Sequence, residues 1–341
     1  MGLLADCVFS ATAKLVSCLG DWGGSVAQAR ARLDSRVIAT TSGPVEYAAT
    51  GEGPAVLVIH GCPGGYDQGL IAARLANSED FTFISPSRPG YLRTPLYVGL
   101  TPEAQADAYA SLLDSLGISK VAIVGISGGA PSALQFAIRH PERCWGLVTV
   151  CAIARRLSDR EIAKCRSVLR RLRCTADLAL QLVRTGARLL AKESGFVAAR
   201  IIGREPGSHE QSRRGSLDLI WALARCFSMI SRRKLGLLND AEQLTTMPAY
   251  ELEKISVPTL VMHGTADKLV PFAHARLLAK KVLNAELVKV RGAGHLFFTT
   301  HREKVVPRLI EFLRRNANVV AGSQATRREM SGTGMQTRHT D

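Results

Sequence analysis

The chain contains no H-E-x-x-H, no paired C-x-x-C, no Walker phosphate loop and no G-x-G-x-x-G fingerprint. Neither a metal nor a nucleotide is therefore implied, and no cofactor is expected. Eight cysteines stand at positions 7, 18, 62, 144, 151, 165, 174 and 226 without paired spacing, so reduced thiols and a cytoplasmic setting are expected. Acidic residues are scarce: 29 Asp and Glu face 44 Lys and Arg, a formal charge of +15. Aromatics are only 6%, and the interleaving of aromatic and basic residues that marks nucleic-acid surfaces is missing, so no nucleic-acid partner is expected. At the amino end, Asp6 and Lys14 break the apolar run, leaving too short a stretch for a spanning helix. A basic n-region is absent as well, which argues against a secretory signal.

What is present suits one sizeable core. With 341 residues, 46% of them apolar, the chain can bury a core and a subsidiary layer without needing two full domains. Residues 55–59, 121–126 and 144–152 are continuously apolar rather than alternating, as in parallel strands covered on both faces. Further strands are expected at 81–85, 259–262 and 285–290, with helices at 101–116 and 129–140 between strands. Thr101-Pro102-Glu103 gives a capping hydroxyl followed by proline at the first helical position.

Gly125-Ile126-Ser127-Gly128-Gly129 lies between the apolar run 121–124 and a helical stretch. A serine flanked at minus two and plus two by glycine in that setting is a nucleophile elbow, whose strained turn lifts the hydroxyl off the sheet edge. Side chains at 125 and 129 are expected to collide there, and the helix start behind Ser127 favours a developing oxyanion. The run 55–59 leads into His60-Gly61-Cys62-Pro63-Gly64-Gly65, a loop able to aim a backbone N–H at a carbonyl oxygen. Downstream, one strand ends in His263-Gly264-Thr265-Ala266-Asp267 and another leads into Arg291-Gly292-Ala293-Gly294-His295. The order Ser, Asp, His, each after a strand, is that of the α/β-hydrolases.

On these residues the chain resembles the α/β-hydrolase superfamily, in particular its capped lipase, esterase and carbon-carbon hydrolase branch, over about residues 36–318. The resemblance implies the α/β-hydrolase fold: a mostly parallel central sheet, helices on both faces and an inserted helical cap. It also implies Ser127 as nucleophile, His295 as general base and acid, and Asp267 as its orienting acid, with the backbone N–H groups of Cys62 and Gly128 as oxyanion hole. The chemistry agrees, because a serine hydroxyl needs an adjacent imidazole and the imidazole needs a carboxylate to hold its tautomer. The substrate class implied is a small-molecule carboxylic ester or related acyl compound. Carbon-carbon cleavage of a diketone-like acid uses the same triad, and a catalytically silent ligand-binding protein on the same fold is the alternative from another class.

Other residues compete for these roles. His60 and His263 lie in H-G turns and are expected to hold their loops, while His140 sits at a helix end as a dipole partner. His301 is the rival base, disfavoured because no glycine-bounded turn places it directly after a strand. Cys62 is read as a small residue whose thiol points aside while its N–H faces the site. In the loop Pro86-Ser87-Arg88-Pro89-Gly90-Tyr91-Leu92-Arg93-Thr94, which resembles the family's D-x-P-G-x-G-x-S loop, Ser87 stands where an aspartate is usual. Arg88 is thereby expected to lose its local partner.

The expected organisation is an amphipathic amino-terminal segment at 1–35, a core at 36–152 and 246–318, a helical cap at 153–245 and a disordered tail from 319. Between 151 and 234 there are 19 Lys and Arg against 7 Asp and Glu, net +12. Arg155-Arg156, the run from Arg166 to Arg173, and Arg232-Arg233-Lys234 carry much of it. Such runs are ordinarily solvated faces; the sharper readings are steering of acidic substrates or peripheral association with an anionic membrane surface. Leu4, Val8, Ala11, Leu15 and Leu19 draw an apolar stripe that suits docking on the protein, a membrane or a partner.

Overall fold

A computed structural model describes residues 35–76, 79–163 and 230–332. Its strands are β1 (Arg36–Thr40), β2 (Gly43–Thr50), β3 (Ala55–Ile59), β4 (Thr82–Pro86), β5 (Val121–Ile126), β6 (Cys144–Val150), β7 (Thr259–Gly264) and β8 (Ala285–Val290). They form one sheet in the order β1-β2-β4-β3-β5-β6-β7-β8. β1 and β2 form an antiparallel hairpin, β2 runs antiparallel to β4, and every pairing from β4 to β8 is parallel. The six strands expected from the sequence are all there. The hairpin was not anticipated, although Thr41-Ser42-Gly43 between two β-branched stretches is a turn signal and Gly43 has φ +120°, which L side chains avoid.

The helices are α1 (Tyr66–Ala76), α2 (Pro102–Ser115), α3 (Ala130–Arg139), α4 (Lys234–Thr246), α5 (Ala273–Lys281), α6 (Phe297–Thr300) and α7 (Arg302–Gly332). Thr101 caps α2 as expected, its Oγ1 accepting from the Ala104 N–H at 3.2 Å, which satisfies one of the orphan donors of the first turn. Alternate residues of each central strand enter opposite layers. Leu57, Ile59, Ile123 and Leu147 share a cluster with residues of α2, α3 and α5. Val56, Val58, Ala122, Val124 and Val148 share the other with α1 and α7. No strand position in the middle of the sheet faces water, which is why these runs are apolar throughout. Each fully buried Val, Leu or Ile there contributes about 1.5–3 kcal/mol relative to exposure.

Two boundaries are corrected. α7 continues to Gly332, so the disordered tail expected from residue 319 does not start there. Ala, Gln, Arg, Glu and Met in that stretch are good helix formers and outweigh the Gly and Ser on which the expectation rested. The limit drawn at 245 falls inside α4, which leads from the insertion back to the core. The amino-terminal stripe, residues 164–229 with the run from Arg166 to Arg173, and residues 333–341 lie outside the described residues. Among those described, no helix is long and apolar enough to cross a membrane.

Candidate active site

Ser127 follows β5 directly and has φ +50°, a left-handed conformation that costs a non-glycine residue about 1–2 kcal/mol. The surrounding glycines explain how the chain reaches it. A Cβ at 125 would lie 2.7 Å from Ala133 Cβ and 2.9 Å from Ala130 Cα, and one at 129 would lie 2.3 Å from the His60 carbonyl oxygen. Gly125 therefore lets β5 meet α3, while Gly129 lets the turn pass the end of β3. The hydroxyl emerges at the start of α3.

His295 Nε2 lies 3.0 Å from Ser127 Oγ, and its Nδ1 lies 2.7 Å from Asp267 Oδ2. The other oxygen of Asp267 accepts from the N–H groups of Leu269 at 2.8 Å and Val270 at 3.0 Å, so the turn that follows the carboxylate also orients it. Burial works against ionisation of Asp267, but His295, His263 and these backbone donors hold it well below the usual carboxylate range. Burial likewise opposes the charged form of His295; the neighbouring Cys151 sulfur and the Asp267 carboxylate outweigh it and raise the imidazole well above 6.5. Cys151 was read from sequence only as a core cysteine. It ends its own strand at φ +43°, and its Sγ lies 3.7 Å from His295 Nε2. The one signal that could have shown this is that Cys151 follows β6 directly, as Ser127 follows β5.

Across the serine, the backbones of Gly128 and Cys62 come together. A Cβ on Gly128 would stand 3.0 Å from Cys62 Cβ and 3.6 Å from Cys62 N. The Cys62 thiol turns away, against Asp240 and Tyr91, and burial pushes it far up and keeps it protonated. His60 takes the Arg88 N–H on Nε2 at 2.9 Å and donates from Nδ1 to the Gly61 carbonyl at 2.7 Å. Burial and the nearby Arg88 charge keep that ring neutral. His263 donates to the Val270 carbonyl at 2.9 Å, so both H-G histidines hold loops. His140 caps the end of α3 and meets Asp107 at 2.8 Å. His301 lies between α6 and α7 with Nδ1 2.8 Å from Thr300 Oγ1; His295 is the histidine brought to Ser127.

A family model described as the alpha/beta hydrolase fold matches residues 54–302, a span that contains every residue just placed. The chain belongs to the alpha/beta hydrolase family. The uncharacterised hydrolase YcgS of Bacillus subtilis is 28% identical to it over 262 residues, which are 75% of this chain and 89% of that protein. A poly(3-hydroxyalkanoate) depolymerase of Ectopseudomonas oleovorans is 28% identical over 204 residues, covering 60% and 64% of the two chains. Among solved structures, an alpha/beta hydrolase fold protein from Nakamurella multipartita is 32% identical, with TM-score 0.66 over 84% of this chain and 100% of its own. A thermophilic esterase from Thermogutta terrifontis is 26% identical, with TM-score 0.60 over 83% and 99%.

This hydrolase replaces the charge missing from its 86–94 loop with carboxylates from elsewhere. Ser87 Oγ donates to Glu46 Oε2 at 2.9 Å and accepts from the Tyr66 N–H at 3.2 Å. Glu46, on β2, also takes the Arg93 Nε–H at 2.6 Å. Arg88, expected to lose its local partner, takes a distant one: its guanidinium forks onto Asp240 of α4. The bland reading of Arg232-Arg233-Lys234 as a solvated face also needs revision. Arg232 is exposed, but Arg233 is fully buried and paired with Asp67 at 2.7 Å. Among the described residues of the hydrolase, no group of His, Cys, Asp and Glu could hold a metal ion.

Proposed function

We propose that this hydrolase works by acyl transfer to Ser127, with a carboxylic ester or related acyl compound as substrate. The observation that carries this reading is the continuous chain from Asp267 through His295 to Ser127, at 2.7 and 3.0 Å. In the first step Ser127 Oγ attacks the acyl carbon while its proton passes to His295 Nε2. The carbonyl oxygen becomes an oxyanion held by the N–H groups of Cys62 and Gly128, each such donor being worth about 3–4 kcal/mol. Asp267 accepts from Nδ1, fixing the tautomer and stabilising the imidazolium. As the tetrahedral intermediate collapses, the bond to the leaving oxygen breaks and Nε2 returns the proton to it. Water then repeats the sequence on the acyl-enzyme, giving the acid and free Ser127.

Esterase and depolymerase relatives support this substrate class by similarity. The test is a fluorophosphonate probe followed by peptide mapping, run beside chromogenic esters of increasing chain length and acidic diketones. Labelling confined to Ser127, with turnover of one or more esters, is the expected result. An unlabelled Ser127 would overturn the mechanism; turnover of diketones without any ester would move the substrate to the carbon-carbon class.

A further inference from the structure

We infer that Arg233 and Asp240, on the segment leading out of the basic insertion, position the oxyanion loop at 60–65; this rests on the reading of Cys62 and Gly128 as the oxyanion donors. The loop has local supports. Gln68 Oε1 accepts from the Gly61 N–H at 2.7 Å, and its Nε2 donates to the Pro63 carbonyl at 3.1 Å. His60 Nδ1 donates to the Gly61 carbonyl at 2.7 Å and the Gly65 carbonyl accepts from the Gln68 N–H at 3.1 Å, and further supports come from far along the chain.

Arg233 donates from Nη1 to the Gly64 carbonyl, 169 residues away, and from Nη2 to Asp67 at 2.7 Å. Room for this exists because residue 65 is glycine: a Cβ there would lie 2.6 Å from Nη1. Asp240 receives the Arg88 fork, the Tyr91 hydroxyl at 2.5 Å and the Cys62 thiol. Both ends of Cys62 are thus committed, its side chain to α4 and its backbone to the space beside Gly128. One turn further along α4, Leu244 Cδ1 stands 3.8 Å from where a Gly128 Cβ would be.

The placement of α4 is itself tight. The Gly236 N–H donates to the Gly90 carbonyl at 2.8 Å, and a Cβ on Gly236 would lie 2.2 Å from the Tyr91 ring. At the other root of the insertion, the Leu157 N–H donates to the Leu244 carbonyl at 2.9 Å. A buried ion pair adds little net stability over apolar packing, yet loses much when one partner goes. Its use here is geometric: a fork and a carboxylate with several donors hold a loop in one place, as oxyanion donors require. Any displacement of the insertion's exit is therefore transmitted to the Cys62 N–H.

The test compares Arg233→Gln, Arg233→Lys, Asp240→Asn and Tyr91→Phe with the exposed-neighbour control Arg232→Gln, all in the full chain. Active sites are titrated with the fluorophosphonate, so that kcat refers only to competent enzyme, and a chromogenic ester gives kcat and KM. Arg233→Gln and Asp240→Asn should lose roughly ten- to hundredfold in kcat with KM within about threefold, because misplaced donors fail at the transition state and not in ground-state binding. Arg233→Lys should recover part of the loss, as it carries the charge to Asp67 but lacks the second nitrogen that reaches the Gly64 carbonyl. Tyr91→Phe removes one hydroxyl and keeps the ion pair, so it remains informative if the other variants fail to fold; it should show the same split on a smaller scale. Arg232→Gln should match the parent. Folded variants with parental kcat per titrated site would overturn the positioning role while leaving the acyl-transfer reading intact. A parent whose Ser127 is not titrated would remove both.

Discussion

On the acid-base side of Ser127, Asp267 ends the turn after β7 and takes two N–H bonds from residues two and three positions on, while His295 follows β8. On the other side, the loop at 60–65 meets Arg233 and, through the Cys62 thiol, Asp240, each more than a hundred and fifty residues away. The first side is oriented by its own backbone, and the second adds, to its local bonds from Gln68 and His60, charges imported from the exit of the insertion. The turn at Asp267 is held by bonds within three residues, although Val270 also packs against Leu157 and Leu244 at the roots of the insertion, whereas imported charges couple the loop at 60–65 to the insertion's exit. Damage to the first half should show as lost chemistry, and damage to the second as lost chemistry together with lost stability.

The largest effect belongs to the acid-base half. Ser127→Ala and His295→Ala should each lower kcat by about four orders of magnitude or more with folding intact, and the double variant should lose little beyond either. Ester turnover surviving in Ser127→Ala would break the assignment.

Asp267→Asn should cost nearly as much, about 10³–10⁴ in kcat, by leaving His295 in the wrong tautomer. It should also move the pH profile. The folded His295 is raised above 6.5, so its neutral, basic form appears only as pH climbs through that raised value, and the rising limb of parental kcat/KM should lie above pH 6.5. By linkage the same shift stabilises the fold fully below the unfolded value, and this contribution fades as pH rises through the folded one. In Asp267→Asn the residual activity should rise at lower pH than in the parent. A parental limb at or below the ordinary histidine range would contradict the electrostatics described.

The oxyanion half can be broken through stability. Asp240→Ala strands the buried Arg88 charge and should destabilise the protein by about 3–5 kcal/mol, whereas the joint replacement Arg88→Met with Asp240→Leu should regain most of it. Denaturant titration reads both. Arg139 and Asp107 form an exposed pair whose loss should cost no more than about 1 kcal/mol. If the two pairs cost the same, burial is not what makes the Arg88 pair matter.

The smallest effect is expected at His301, which should leave turnover within a few fold when changed to Ala. Its ring lies against Thr300 between two helices, away from the chain of bonds that ends at Ser127. Loss of the near-neutral pH limb in His301→Ala but not in His295→Ala would reverse the two roles.

Much of the fold and half of the cleft can be read along the chain because their causes are local. A parallel strand covered on both faces must be apolar at every position, and a serine in a left-handed turn between touching elements needs glycines at 125 and 129. Asp267 and His295 were legible for a related reason: each stands in the short loop that follows a strand, β7 and β8 respectively. The hairpin of β1 and β2 was missed because an edge strand is only partly buried and carries no continuous apolar run. Glu46 beneath Ser87, Asp240 on Arg88 and Arg233 on Asp67 have no sequence pattern at all. A charge finds its partner by burial and geometry, not by spacing, so two arginines adjacent in sequence, Arg232 and Arg233, end one in water and one in the core. The amino-acid sequence by itself determined the parallel strands, the glycine-flanked turn at Ser127 and the order Ser127, Asp267, His295, whereas only the tertiary structure decided which distant charges hold the loop at 60–65, because those bonds exist only once α4 has docked.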